Sequence, residues 1–273
     1  MKKPQNSIPF VLVILVILFS SGCKKNDVTP NSGLGTMPAH FVQRVMLEEV
    51  TGEWCGECPD GASILSSLQQ QYGDTLVPVS IHYNDFLDMS ATYNAIPTAF
   101  GQANNAFPTG AVNRVQDPYY NYQDFWYSRA YWAGGIAAIL ATDHQTGIAL
   151  KSSISGNNAT VEVHIGFHEA NNYNMILNVF LVENNIPAQN QTSAPAGYVH
   201  QQVLRCIATP VLGDPISMGS VKEIVKTYTV PIAGYVASNL VFAVSVEKWG
   251  DALTDREVYN ARQVKVGQNA MWQ

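Results

Sequence analysis

Cys55 and Cys58 are the two side chains of this 273-residue sequence most able to do chemistry together. A cysteine thiolate attacks disulfides, and a second thiol three residues on can reach the first and close a small ring. Cys55 can therefore open a substrate disulfide, and Cys58 can resolve the mixed disulfide that results. Zinc ribbons use the same spacing but need a second such pair. The remaining cysteines, Cys23 and Cys206, are isolated, so neither a metal nor any other cofactor is expected. Cys206 lies in the apolar stretch Val203-Leu204-Arg205-Cys206-Ile207-Ala208, which predicts a buried, inert thiol.

The elements around the pair decide whether it reacts. Val45 to Val50 reads as a strand, which Thr51 and Gly52 leave. After the cysteines, Ala62, Ile64, Leu65, Leu68 and Tyr72 recur at helical spacing. Cys55 is thus expected at a strand-to-helix junction, near unpaired backbone N–H groups and the positive end of a helix dipole. Both lower a thiol pKa. Glu57 acts the other way: its carboxylate opposes a thiolate at Cys55, which favours a reducing couple. Pro59 is tolerated in a first helical turn.

Glu53-Trp54-Cys55-Gly56-Glu57-Cys58 resembles the active-site motif of the thioredoxin superfamily. The resemblance implies a buried proton-transferring acid six positions before the first cysteine, a place held here by Glu49 where the family has Asp. It also implies a cis-proline loop facing the cysteines. Ile96-Pro97-Thr98 and Phe107-Pro108-Thr109 both qualify. Pro108 is favoured, because Thr109 to Arg114 reads as the next strand while Pro97 falls in an alanine-rich segment. Pro108 would then orient substrate, and Trp54 and Phe107 would flank it. Leu76 to His82 reads as the central strand. Phe125, Trp132, Ile136, Ile139 and Leu140 fall on one face of a last helix. The aromatic group Tyr119, Tyr120, Tyr122, Phe125, Trp126 and Tyr127 reads as packing at a domain junction. His82 could join the cysteines around copper, as in some copper-delivery relatives, but those space their cysteines by three.

From Gly147 the period changes to two. Val161, Val163, Ile165 and Phe167 alternate with Glu162, His164, Gly166 and His168, with the histidines expected in solvent. On a strand His164 and His168 stand roughly 13 Å apart, too far to share one ion. Stretches 148–154, 175–182, 224–230, 240–246 and 258–266 complete about six strands with few helices between. The predicted fold is an α/β thioredoxin-like domain followed by an antiparallel all-β sandwich of immunoglobulin-like type.

At the start, Lys2 and Lys3 precede an apolar run from Ile8 to Phe19, shorter than the ~20 residues of a membrane-spanning helix. Ser20, Ser21, Gly22 and Cys23 follow and resemble a lipobox, which implies cleavage before Cys23 and its acylation. Residues 1–22 are read as signal peptide, 23–40 as lipidated tether, 41–143 as the redox domain and 144–273 as the β domain. Loss of Lys2 and Lys3 with the signal moves the formal charge from −6 to −8. Without a basic block, nothing supports nucleic-acid binding.

Several stretches together resemble the outer-membrane-protein-28-like lipoproteins of Gram-negative bacteria. They are Leu47 to Pro59, Ile81-His82, Pro108 with Asn113-Arg114, Tyr198 to Arg205, and Ala261 to Val266. The resemblance implies an outer-membrane lipoprotein anchored through Cys23. Two functions are expected in competition. One is a tethered reductase or isomerase of disulfides in exported proteins, recharged by a thiol reductant. The other is an adhesin-like binding protein whose cysteine pair is a structural staple.

Overall fold

Hydrophobic alternation and β-branched runs give most of the chain to strands. The computed structural model describes residues 33–89, 96–97, 106–116, 125–143, 146–168, 174–217, 222–250 and 255–273. The first elements are β1 (Val45–Thr51), α1 (Cys58–Tyr72), β2 (Leu76–His82), β3 (Thr109–Val112), β4 (Tyr127–Ser128) and α2 (Trp132–Leu140). Next come β5 (Thr146–Ser155), β6 (Asn158–Phe167), β7 (Asn174–Glu183), β8 (Ile186–Pro187), β9 (Val199–His200) and β10 (Val203–Ile207). The last are β11 (Asp214–Ser217), β12 (Glu223–Pro231), β13 (Leu240–Lys248), β14 (Val258–Lys265) and β15 (Asn269–Ala270).

The fold is mostly β, with mixed and antiparallel sheets and few helices. The larger sheet runs β14-β13-β7-β10-β2-β1-β3-β4, with β11 also on β7. The smaller runs β12-β6-β5-β15, and β8 and β9 make a separate ribbon. β1 and β2 are parallel, joined through α1. β10 joins β2, with Val203 opposite Ser80. The expected division between residues 143 and 144 therefore meets no break in the sheet, and residues 33–273 form one compact unit. Among the described residues, no helix is long and apolar enough to cross a membrane.

Three cores hold this arrangement. α1 and α2 bury Leu65, Leu68, Trp132, Ile136 and Ile139 against Val45, Leu47 and Val112. The smaller sheet buries Val161, Val163 and Ile165 against Leu177, Val179, Phe242 and Val244. The third core lies on the opposite face of the large sheet and joins Met46, Val77 and Val79 to Phe180, Val182, Val241 and Ala261. It exists because β14 returns against the first strands: Val258 N–H donates to Asn113 O at 2.9 Å and Arg44 N–H to Asn260 Oδ1 at 3.0 Å. Each such large apolar side chain contributes about 1.5–3 kcal/mol.

A buried ion network pins the same junction. Arg114 donates to both oxygens of Glu48 at 2.7 Å, and its Nη1 lies 2.8 Å from Glu247 Oε1. Burial alone would lower the Arg114 pKa; Glu247 and Glu48 more than offset this and raise it.

Four sequence expectations are corrected here. Phe125 is not on the last helix, which begins at Trp132; it belongs to the third core. The expected tether does not extend to residue 40, because Leu34 is fully buried and its carbonyl accepts the Trp272 N–H at 3.0 Å. His164 does not face solvent: it is buried between Glu223 Oε1 at 2.6 Å and Glu162 Oε1 at 2.8 Å. The cause is the same segment, since Met37, Phe41 and Trp272 cover the outer face of the smaller sheet at Gly147 and Gly166. His168 likewise stacks on Phe41, ring centroids 4.3 Å apart. Phe125, Trp126 and Tyr127 are buried. Tyr119, Tyr120, Tyr122, Cys23 and the signal segment lie outside the described residues.

Candidate active site

β1 ends at Thr51, and the chain turns through Gly52 to Gly56 before α1 begins at Cys58. Cys55 N–H donates to Gly52 O at 3.1 Å and Cys58 N–H to Cys55 O at 3.4 Å, which closes the turn. Cys55 and Cys58 are joined by a disulfide, Cα atoms 5.4 Å apart. Cys55 thus precedes the first helical turn, while Cys58 opens it. Both residues are covered, Cys55 to 4% exposure and Cys58 to 1%.

The loop carrying Phe107 and Pro108 stands over this helix start. The Phe107–Pro108 bond is cis, the one cis bond among the described residues, and Pro97 is trans. Pro108 packs so closely on α1 that a Cβ at Gly61 would stand 2.6 Å from its Cγ. Phe107 meets Trp54 edge-on at 4.8 Å, and Tyr83 stacks on Phe107 at 5.9 Å. Trp54 is 46% exposed, and its indole N–H donates to Tyr83 O at 2.8 Å. Trp54, Phe107 and Pro108 are brought together beside the disulfide.

Glu49 points from β1 into the space beneath α1. It is buried, and one oxygen accepts the Ser80 hydroxyl at 3.0 Å. The other, Oε1, has no hydrogen-bond partner, and would lie 3.1 Å from a Cβ at Gly61. Burial pushes the Glu49 pKa up to about 7, with the Ser80 bond opposing. Glu49 lines a cavity of about 270 Å³ with Ser80, His82, Tyr198, His200 and Gln202. An acid that titrates near neutrality can exchange protons at working pH.

Several residues here escape sequence reasoning. Arg129, from the turn before α2, lies 2.8 Å from Glu57 Oε2 and 2.5 Å from Asp60 Oδ2. It offsets the Glu57 charge, which weakens the expectation that Glu57 alone sets a reducing couple. Glu53, buried, faces His200 Nε2 at 3.0 Å, and His82 Nδ1 meets Asp85 Oδ2 at 2.7 Å. The two imidazoles cross edge-on at 4.7 Å. Burial lowers the His200 pKa; the Glu53 bond opposes this and His82 adds to it. Apart from the His82–Asp85 pair, these contacts join residues 69 or more positions apart, and no local pattern carries them. Among the described residues, no group of three His, Cys, Asp or Glu side chains could hold a metal ion. Cys206 is a free, half-buried thiol whose pKa burial raises.

The family model described as outer membrane protein Omp28 matches residues 94–270, well over half of the sequence but starting beyond the cysteine pair. HBP35 of Porphyromonas gingivalis has a similar structure, with a TM-score of 0.69, 20% identity, and coverage of 86% of this chain and 79% of that one. Protein AGR_C_4864 from Agrobacterium tumefaciens matches at a TM-score of 0.54 and 14% identity, covering 86% of this chain and 99% of that one. At these identities the likeness shows the fold alone. No curated protein matches the sequence.

Proposed function

The chain belongs to the outer membrane protein Omp28 family, and from that premise we propose that it is a membrane-anchored thiol–disulfide oxidoreductase acting on exported proteins. Family membership carries outer-membrane association; acylation at Cys23 is the anchor we infer. The observation that carries the redox reading is a constellation. A Cys55–Cys58 disulfide at the start of α1 has Pro108 packed on the same helix and a buried acid of raised pKa below it. That arrangement is thioredoxin-like, although the strands around it continue into the β-rich remainder.

In the dithiol form, Cys55 thiolate attacks one sulfur of a substrate disulfide. The substrate S–S bond breaks, and its other sulfur leaves as a thiolate and takes up a proton. Cys58, its proton passed toward Glu49, then attacks Cys55 Sγ. This closes the intramolecular disulfide and frees the second substrate sulfur. Two electrons have moved from protein to substrate, and an exported thiol reductant restores them. Trp54 and Phe107 line the approach, and Pro108 fixes the loop that faces it.

The test is Cys58→Ala, which stops resolution. Mixed disulfides trapped on Cys55 in cells, with turnover of a disulfide-linked peptide by the wild type, support the enzyme. One observation favours a second reading: both cysteines are nearly sealed. In that reading the pair is a staple and the protein an adhesin-like binder, and neither trapping nor turnover is seen.

A further inference from the structure

A distant part of the chain is bonded to the turn that carries Cys55. β8 and β9 pair with Ile186 opposite His200 and Pro187 opposite Val199, and the loop between them crosses to the Gly52–Gly56 turn. Buried Glu53 is its anchor: Oε1 accepts the Gln189 backbone N–H at 2.8 Å and Oε2 that of Asn190 at 3.0 Å. Thr192 N–H donates to the Glu53 carbonyl at 2.7 Å. The Gln191 side-chain amide donates to the Cys55 carbonyl at 3.0 Å. Ser193, in the left-handed region at φ 62°, turns the strap over Gly56, where a Cβ would stand 3.2 Å from its Oγ.

These bonds do not belong to a sheet or a helix. Every one joins the strap to the reactive turn itself, and the acceptors include the carbonyl of the attacking residue. A carboxylate taking two backbone N–H groups is a strong, charge-assisted anchor. Trp54 and Phe107 stand beside the same turn. Cys55, only 4% exposed, therefore lies in a turn with a polar strap bonded to its carbonyl and an aromatic pair beside it.

We propose that Gln189–Ser193 is a specificity-determining strap that admits slender disulfides, those of short or extended peptide chains, and shuts out disulfides set in folded protein surfaces. This rests on the redox reading and narrows its substrate class. A thin chain reaches Cys55 between the strap and the aromatic pair, whereas a broad surface must first displace the strap. A site whose open form is a minor population loses apparent rate by that fraction.

The experiment compares the wild type, Gln191→Ala, and a variant with residues 189–195 replaced by two glycines. Each is assayed with a disulfide-linked pair of short peptides and with insulin. Shortening the strap is expected to raise insulin turnover about tenfold, the factor expected if the open form is about a tenth populated, while peptide turnover stays near its wild-type value. Gln191→Ala is expected to shift the ratio the same way by less. An unchanged ratio in both variants overturns the proposal. Should the shortened variant not fold, Gln191→Ala and alkylation of the reduced wild type carry the test. Iodoacetamide is expected to react with Cys55 much faster, relative to a small thiol standard, than a polyethylene-glycol maleimide does; equal relative rates overturn the strap. If no variant turns over either disulfide, the redox reading itself fails, and the alkylation ratio still reports whether the strap excludes bulk.

Discussion

Glu49 shows how one residue links burial to chemistry. Its carboxyl lies in the sheet core with one oxygen bonded to Ser80 and the other without a partner. Burying the charged form is unfavourable, so the folded pKa rises from 4.5 to about 7. The sign follows from linkage. A carboxyl whose pKa is raised in the fold contributes fully below its ordinary value, and that contribution is lost as pH rises through about 7. Glu49→Gln is expected to be up to about 3 kcal/mol more stable than the wild type at pH 8 to 9, and little changed at pH 4. Urea unfolding at the two pH values checks this, and an equal difference at both would refute the burial account. The same substitution is expected to remove a step near pH 7 from the peptide-exchange rate, where a purely structural Glu49 would leave the profile in place.

Between elements, the helix start and the proline loop are fitted to each other. Gly61 lies three residues after Cys58, and any Cβ there overlaps the Pro108 ring. Gly61→Ala gains about 1 kcal/mol of helix propensity but overpacks the contact, which typically costs about 1–3 kcal/mol. A net loss in unfolding free energy and slower peptide exchange are expected together; a stabilised variant with unchanged exchange would show that Pro108 yields freely. Local pattern made much of this region legible. The apolar run of β1, the helical spacing of Leu65 and Leu68, and the cysteine pair between them needed nothing from elsewhere. The partners of Glu53 and Glu57 were illegible for the opposite reason: Gln189, Asn190, His200 and Arg129 reach them only through the completed fold. In the sequence Glu53 reads as part of a motif, whereas in the fold its side chain is an anchor. Alternation places His164 on a strand's outer face but cannot say that Met37, Phe41 and Trp272 will cover that face.

At the scale of the whole molecule, the chain's first and second halves share one sheet. β10 pairs with β2, β14 lies along the first strands, and Arg114 ties β1 to β13 through Glu48 and Glu247. A single unfolding transition is expected in calorimetry, with calorimetric and van't Hoff enthalpies in agreement; two resolved transitions would mean that the halves are independent. Arg114→Met leaves two buried carboxylates facing each other, and a loss of about 3–5 kcal/mol is expected. Burial also raises the Glu247 pKa to about 7, with Arg114 opposing and Glu48 adding to the shift. Stability is thus expected to decline between pH 5 and 8 even in Glu49→Gln, a residual slope that denaturant melts can measure.

The burial of Leu34 has a consequence for geography. With Leu34 buried in the folded body, the acyl anchor proposed at Cys23 would be joined to it by about ten residues, at most roughly 35 Å of chain. A compact body of residues 33–273 has a radius of gyration of roughly 18 Å, so that span is about one body-width at most. Clients would be met within about one protein's breadth of the lipid, and those further off would have to come to it.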